Sequence, residues 1–236
     1  MNSAVIVAAG SGTRFGPERD KLFLEIGGIP IVGHTWQRFD QHPGIAEVVM
    51  VVRGSLEMAF HELAKRLRLT KPYRIVPGGA ERQNSVWNGI EAMHQDAQVV
   101  AIHDGARPCV STELITACLR AAAEQGAAVA AQPVTDTMKE SADGRTISKH
   151  LDRSKLWSVQ TPQTFQVEII RRALLEARER DLQVTDDTAA CELIGQTVHL
   201  VPSRAPNPKV TVPEDLKLVE LLLGTMMLET KRASVS

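Results

Sequence analysis

Short apolar runs alternate with longer stretches of helical periodicity along most of the chain. The first four of these runs are apolar on both faces, as buried parallel strands are. The runs predict strands at residues 5–8, 48–52, 74–76, 99–103, 127–131 and 198–201. Apolar residues at spacings of three and four predict helices at 56–69, 85–93 and 112–122, with a last helix from Pro213. We therefore expect a doubly wound α/β fold with a mostly parallel sheet, in which ligands lie beyond the carboxyl ends of the strands.

The pattern changes at about residues 133–162. Polar runs at 135–139 and 146–149 flank an Asp-Gly pair, which is typical of a hairpin turn. A polar two-stranded hairpin is only marginally stable by itself. We interpret this hairpin as a protruding dimerisation arm inserted in a single domain of residues 1–236. A solvated surface hairpin is the alternative.

Composition limits the functions that are open to the chain. Its 236 residues include 27 Lys and Arg against 28 Asp and Glu, for a formal net charge of -1. This near-neutral balance does not indicate a nucleic-acid binder, so any binding of anions must be local. The apolar run at 4–9 has no basic leader, and later apolar stretches are too short for a bilayer, so we expect no signal peptide and no membrane partner. Three cysteines without C-x-x-C spacing favour a reducing, cytoplasmic location; they are Cys109, Cys118 and Cys191.

The strongest candidate site is the glycine-rich segment after the first predicted strand. It reads Ala8-Ala9-Gly10-Ser11-Gly12-Thr13-Arg14-Phe15-Gly16, with Lys21 downstream. Glycines let backbone N–H groups approach a phosphate, and two cations suit a polyphosphate. The spacing does not fit a P-loop, because no Lys-Ser or Lys-Thr pair follows a glycine here. It does not fit a dinucleotide fingerprint either, because Phe15 takes the place of the third glycine and the second strand ends at Arg53 instead of an acid. A tight turn with solvated charges is the remaining alternative.

A second motif, H-D-G-A-R-P, follows the predicted strand at 99–103. Asp104 stands at the carboxyl end of this strand, where it could coordinate Mg²⁺ or a sugar hydroxyl. Arg107 offers a forked donor for phosphate. Turn capping is the alternative role for Asp104. We interpret His103 as structural, because it has no partner motif.

A second glycine pair and two short clusters complete the candidate set. Residues 77–85 contain Gly-Gly between a strand and a helix, where Ser85 could bond a base edge or cap the helix. The clusters at 151–163 and 207–211 contain Arg153 and Lys209. Either cation alone would be dismissed as a surface charge.

Taken in order, these motifs resemble those of the 2-C-methyl-D-erythritol 4-phosphate cytidylyltransferases of the non-mevalonate isoprenoid pathway. The shared motifs are A-A-G-x-G-x-R with a downstream lysine, G-G-x-x-R-x-x-S-V, H-D-x-A-R-P, D-T-M-K, D-R-x-x-L-W with T-P-Q, and N-x-K-V-T. The resemblance covers nearly the whole chain. It implies a Rossmann-like nucleotidyltransferase fold and transfer of CMP from CTP to methylerythritol phosphate, with Mg²⁺ as cofactor. The substrate phosphate would attack the α-phosphorus in line and release pyrophosphate.

The resemblance also implies a role for individual residues. The cations that stabilise the α-phosphate would be Arg14 and Lys21, and those that position the methylerythritol phosphate would be Arg153 and Lys209. The nucleotide would be held by Ala8, Ala9, Gly10, Gly12, Gly79, Ala80 and Ser85. The sugar phosphate would contact Asp104, Arg107, Thr137 and Thr161. The metal would be held mainly by the CTP phosphates, with Asp104 as its candidate protein ligand. In the family the arm is exchanged within a homodimer, so Arg153 would reach the partner's site.

Other functions are compatible with some of the same residues. A cytidylyltransferase for another polyol phosphate, such as ribitol 5-phosphate, would use the same fold. Enzymes that act on sugar 1-phosphates commonly show G-G-x-G-x-R, whereas Ala9 stands at the first glycine position here. A non-catalytic nucleotide-binding module would need no pair of cations such as Arg14 and Lys21. An NAD(P)-dependent oxidoreductase is disfavoured by the displaced third glycine.

Overall fold

A central sheet organises the fold in the computed structural model, which describes residues 1–10 and 20–233. The described strands are β1 Asn2–Ala8, β2 Glu25–Ile26, β3 Ile29–Pro30, β4 Glu47–Val52, β5 Tyr73–Pro77, β6 Val99–Asp104, β7 Ala127–Pro133, β8 Lys139–Glu140, β9 Lys149–His150, β10 Trp157–Gln166 and β11 His199–Pro202. Seven of them form one sheet in the order β11-β7-β10-β6-β1-β4-β5. Six run parallel, and β10 runs antiparallel to both of its neighbours. The mostly parallel sheet expected from the sequence is confirmed.

Helices cover both faces of this sheet. They are α1 Ile31–Asp40, α2 Glu57–Leu67, α3 Arg82–Glu91, α4 Thr112–Gln125, α5 Val167–Glu179, α6 Asp187–Leu193 and α7 Asp215–Ala233. One apolar layer lies under α1, α2, α4 and α7, and the other lies under α3, α5 and α6. Successive strand residues alternate between the layers, since Ala4 and Ile6 of β1 face the first and Val5 faces the second. This two-sided burial explains why the strands are continuous apolar runs.

The structure adds elements that the apolar pattern did not predict. Helices α1, α5 and α6 were not predicted, and α7 begins at Asp215, two residues after the predicted start at Pro213. Strand β10 was also missed, since it contains Pro162 and a proline argues against a central strand. The strand tolerates it because its pairing with β7 shifts register between Val159 and Gln163. Within residues 1–10 and 20–233, no helix has the length and apolar character needed to cross a bilayer.

The arm lies between β7 and β10, as residues 134–156. Its ladder pairs Lys139 with His150 and Glu140 with Lys149, around a turn in which Gly144 has a φ of 67°. The ladder is thus shorter than the two strands predicted at 135–139 and 146–149. The arm also ends before the predicted residue 162, because residues 157–159 pair with β7 in the main sheet.

Candidate active site

A cavity of about 380 Å³ opens at the carboxyl edge of the sheet, next to the ends of β1 and β6. Its walls contain nine of the residues predicted for the site, namely Ala8, Ala9, Gly10, Lys21, Gly79, Ala80, Ser85, Asp104 and Lys209. A roomier cleft of about 540 Å³ between α3 and the end of α5 contains one of them, Ala80. We therefore assign the site to the smaller cavity. Gly12 and Arg14 lie outside the described residues.

Two glycines in the loop after β5 permit close contacts, one with the loop after β1 and one with the start of α3. A Cβ atom on Gly78 would lie 2.3 Å from the Cβ of Ala9, and one on Gly79 would lie 2.3 Å from the Cβ of Asn84. These glycines therefore serve contacts within the protein, whereas the sequence suggested close approach to a ligand. A Cβ atom on Gly10 would meet nothing within 4 Å among the described residues, so this backbone faces open space in the cavity.

Ser85 holds the loop that carries this glycine pair. Its hydroxyl accepts a hydrogen bond from the Gly79 amide at 3.1 Å and donates one to the Glu81 carbonyl oxygen at 3.1 Å. The side chain is buried but belongs to the cavity wall. The sequence left open a hydrogen bond to a base and a role as helix cap. In the structure the cap of α3 is Glu81, and Ser85 lies inside the helix with its hydroxyl bonded to the backbone.

The dominant electrostatic feature is a set of three cations around Asp104, the last residue of β6. The Lys209 Nζ atom lies 2.9 Å and the Arg107 Nε atom 3.4 Å from Asp104 Oδ2, and Arg82 Nε lies 3.8 Å from Oδ1. Burial pushes the pKa of Asp104 upward, but Lys209, Arg82 and Arg107 outweigh it and hold that pKa well below its usual range. Asp104 therefore stays ionised and orients positive charge around the cavity.

Arg82 is a part of this cluster to which the sequence assigned no role. Its Nη1 atom lies 2.7 Å from Oδ2 of Asp187, which is fully buried at the start of α6. Burial raises the pKa of Asp187, and its pairing with Arg82 opposes that rise. Gln163 of β10 accepts a hydrogen bond from the Asp187 amide at 3.0 Å. The arginine of the G-G-x-x-R motif was the only sequence feature that could have indicated this role. Its partner Asp187 lies 105 residues away in the chain, so the pairing has no local pattern.

Lys21 is joined to the same cluster through the backbone. It begins a 3-10 helix, Lys21–Phe23, and its Nζ atom donates to the Val210 carbonyl oxygen at 2.9 Å. The Val210 amide in turn donates to the Ala106 carbonyl oxygen at 2.9 Å. These bonds connect three motifs that are far apart in the sequence, and they place Lys21 beside Lys209 in the cavity wall.

Thr161 and Arg107 lie behind the cavity wall. The Thr161 hydroxyl accepts from the Asp104 amide at 3.1 Å and bonds Nδ1 of His103 at 3.0 Å. Arg107 donates to the Asn207 carbonyl oxygen at 2.8 Å. Burial lowers the pKa of His103 to about 4, so this residue is neutral near pH 7 and its contacts are structural. Thr161 and Arg107 thus hold Asp104 and the 207–210 segment, whereas the resemblance implied direct contact with the sugar phosphate.

The two predicted site residues on the arm are not in the cavity wall of this chain. Thr137 and Arg153 are exposed, and the Arg153 guanidinium donates to the Thr135 carbonyl oxygen within the arm. One chain by itself therefore does not bring them together with Lys21 and Lys209.

The cavity offers little by which the protein alone could bind a metal ion. Asp104 could supply one carboxylate beside nucleotide phosphates, a mode that Mg²⁺ commonly uses. Both of its oxygens, however, already face cations. In the part of the chain that the structure describes, no three His, Cys, Asp or Glu side chains are grouped to hold a metal. The donor set fits a metal bound mainly through substrate phosphates and does not fit a protein-only site.

Comparison with known proteins identifies the chain. The family model for IspD, 2-C-methyl-D-erythritol 4-phosphate cytidylyltransferase, matches residues 2–225. The chain belongs to the IspD family. It is a cytidylyltransferase of the non-mevalonate isoprenoid pathway, and its reaction converts CTP and methylerythritol phosphate to 4-diphosphocytidyl-2-C-methyl-D-erythritol. This resolves the choice between methylerythritol and ribitol phosphate that the sequence left open.

Relatives and solved structures agree with this assignment to IspD. The 2-C-methyl-D-erythritol 4-phosphate cytidylyltransferase of Pelotomaculum thermopropionicum is 41% identical over 222 residues, which cover 94% of this chain and 93% of that protein. That of Bacillus licheniformis is 39% identical over 94% of this chain and 96% of its own. The crystal structure of the Thermus thermophilus enzyme has a TM-score of 0.75 and 32% identity, covering 94% of this chain and 98% of that one. The 4-diphosphocytidyl-2C-methyl-D-erythritol synthase from Anaerococcus prevotii has a TM-score of 0.83 and 27% identity, covering 94% and 95%.

Proposed function

We propose that the cavity beside β1 and β6 binds CTP and performs CMP transfer by in-line displacement at the α-phosphorus. One observation carries this proposal. Lys21, Lys209 and the ionised Asp104 line the same cavity, and the backbone at Gly10 forms part of its wall. Cations and backbone amides at the carboxyl edge of a parallel sheet suit a triphosphate.

The chemistry needs charge stabilisation more than it needs a base. An oxygen of the methylerythritol phosphate forms a bond to the α-phosphorus, and the bond between that phosphorus and the bridging oxygen breaks. Pyrophosphate leaves with the electron pair. The nucleophile is already an anion near pH 7, so no side chain has to remove a proton from it. The barrier is the approach of one anion to another, which positioned cations lower.

Each cation takes a separate part in this displacement. Lys21, with Arg14 from outside the described residues, would stabilise the α-phosphate as its charge grows. Lys209 would position the attacking phosphate. Its ion pair with Asp104 keeps the ammonium at the cavity until that phosphate arrives. Thr161 and Arg107 would act on this pair from behind, through the Asp104 amide and carboxylate.

The nucleotide would be held chiefly by backbone groups at Ala8, Ala9, Gly10, Gly12, Gly79 and Ala80. Ser85 would fix the Gly79 loop in place. Mg²⁺ bound with CTP would neutralise charge on the phosphates. Asp104 is the residue that could add one carboxylate to that metal.

We further propose that the site is completed in a homodimer, with Thr137 and Arg153 reaching the partner's cavity. The arm supports this proposal, because its side chains are almost all exposed and include the large apolar residues Met138 and Ile147. Burial of such residues against a second chain would stabilise the arm. The single domain with its inserted arm is the unit that would pair. The buried free thiols at 109, 118 and 191 support a reducing, cytoplasmic location.

Pyrophosphate release by the purified protein with CTP and Mg²⁺ tests the function. Methylerythritol 4-phosphate and ribitol 5-phosphate are supplied in parallel, and the cytidylyl product is identified by mass spectrometry. We expect release with methylerythritol phosphate and little with ribitol phosphate. Equal rates would contradict the proposed substrate positioning. No release from folded protein would contradict the mechanism as a whole.

A further inference from the structure

Arg53 is a charged residue near the cavity that the proposed mechanism does not use. It follows β4 directly, at the same edge of the sheet, and its guanidinium forms an ion pair with the Asp20 carboxylate. The Asp20 side chain is only 14% exposed and that of Arg53 is 35% exposed. The Arg53 Nε atom is buried with no hydrogen-bond partner among the described residues. A carboxylate with so little exposure is stabilised by a partner of opposite charge, and removal of that partner is costly.

Asp20 controls the backbone turn that carries Lys21. Its Oδ1 atom accepts from the Leu22 amide at 3.0 Å, and its carbonyl oxygen accepts from the Phe23 amide at 3.0 Å. Both bonds span Lys21. On the core side the turn is held by the buried Leu22 and by Phe23, whose ring lies edge-on to Phe60 at 5.2 Å. The Asp20–Arg53 pair fixes the other end.

A lysine ammonium sits on a flexible four-carbon chain, so its position depends on a well-placed backbone. The Lys21 Nζ atom reaches the Val210 carbonyl oxygen from this turn. Without Arg53, the Asp20 carboxylate would lose its ion pair and would turn toward water. That change would weaken the cap on Leu22 and let the turn, and Lys21 with it, move.

We propose that Arg53 is a positioning residue for CMP transfer, which acts through Asp20 to hold the Lys21 turn in place. This inference rests on the proposed function of Lys21. It gives a role to an ion pair between residues 33 positions apart in the chain. Arg53 itself touches no substrate in this proposal.

The test separates kcat from KM in Arg53→Gln, Arg53→Lys and Asp20→Asn. The matched control is Arg66→Gln, which breaks a neighbouring ion pair, 2.7 Å long, between the half-exposed side chains of Arg66 and Glu25. We expect Arg53→Gln to lower kcat by about tenfold or more, since small misplacements of a catalytic group are costly, with KM for CTP within about twofold. Arg53→Lys should recover much of the loss because it keeps the charge. Arg66→Gln should match the wild type.

A second background shows whether the effect passes through Lys21. Adding Arg53→Gln to Lys21→Ala should cause little further loss, because the group that Arg53 positions is already gone. An equal loss in both backgrounds, an unchanged kcat, or a change in KM alone would overturn the proposal. If Arg53→Gln does not fold, Asp20→Asn tests the same pair. An inactive wild type, or a fully active Lys21→Ala variant, would instead reject the proposed function.

Discussion

The cavity and the arm both present cations that suit an anionic substrate, but the two regions hold their cations in different ways. Lys209 lies in a network centred on Asp104, which is nearly buried and also faces Arg82 and Arg107. Arg153 lies on an exposed arm, and its guanidinium bonds a carbonyl oxygen of the same arm. The cavity is therefore preformed within one chain, whereas the arm holds Arg153 outside that cavity. This difference fits the proposed site assembled from two halves, of which the cavity half is held together by contacts within one chain.

The largest expected effect is on the preformed half. We expect Lys21→Ala and Arg14→Ala each to lower kcat by about 10²–10³, because each would remove a cation that the proposed mechanism assigns to the α-phosphate. The unfolding midpoint should change little. Steady-state kinetics with CTP and methylerythritol phosphate, together with thermal unfolding, make the measurement. Near-normal turnover in either variant would remove that residue from the mechanism.

Mixing two inactive variants tests whether the arm contributes to the cavity of the partner chain. Arg153→Ala leaves the cavity intact and Lys209→Ala leaves the arm intact. If the arm serves the partner's cavity, an equal mixture that exchanges subunits contains mixed dimers with one complete site. Activity should then recover to roughly one quarter of the wild-type rate, as expected for random pairing in a two-fold dimer. The control is a single variant that carries both substitutions in one chain and is treated in the same way as the mixture. A mixture no more active than its components would show that the arm acts within its own chain or not at all.

Sequence-based prediction succeeded where local sequence decides the structure and failed where contacts between distant residues decide it. The strands β1, β4 and β6 were predictable because burial on both faces makes them continuous apolar runs. Their shared edge then placed Ala8 and Asp104 in one site. Strand β10 was not predictable, because polar residues and a proline form it and only its pairing with β6 and β7 decides its conformation.

Side-chain orientation was the part of the site least accessible from sequence. Ser85 and Thr161 were assigned to ligands by resemblance, yet the hydroxyls of both bond the protein's own groups. Loop geometry decides which group a hydroxyl meets, and that geometry depends on contacts such as Gly78 with Ala9. The Arg82–Asp187 pair depends on a tertiary contact across 105 positions, for which local pattern carries no signal.

Two glycines provide a smaller and more direct comparison of the regions. Gly78→Ala would force a Cβ atom to 2.3 Å from that of Ala9, so we expect a loss of about 2–3 kcal/mol in the free energy of unfolding and a higher KM for CTP. Gly144→Ala in the arm meets no atom within 4 Å and strains only a left-handed turn. This strain should cost about 1 kcal/mol in the free energy of unfolding, less than Gly78→Ala, and should leave the KM for CTP close to wild type. For both variants, urea unfolding gives the free energy of unfolding, and the reaction rate as a function of CTP concentration gives KM. Equal effects would mean that the arm and the cavity are coupled within one chain.

The smallest expected effect is a pH dependence that belongs to the cavity side alone. Burial lowers the pKa of His103 from 6.5 to about 4 in the folded chain. The unfolded chain therefore binds a proton at pH 5.5 that the folded chain does not. The stability that neutral His103 contributes is complete above pH 6.5 and is lost progressively as the pH falls toward 4. Between pH 7.5 and 5.5 this loss amounts to about 1 kcal/mol.

The wild type should lose more unfolding free energy between pH 7.5 and pH 5.5 than His103→Gln does, and the difference should be that amount. The stability that the substitution itself removes at pH 7.5 does not enter this comparison. Urea unfolding at both pH values, on the wild type and the variant, gives the difference. His150→Gln, at an exposed position in the arm, is the matched control and should follow the wild type. If the His103 variant keeps the full wild-type pH dependence, then this ring does not stay neutral behind the cavity. In that case its Nδ1 atom would donate to the Thr161 hydroxyl, whereas in the neutral ring that donates Nε2–H to the Arg107 carbonyl oxygen it accepts from that hydroxyl.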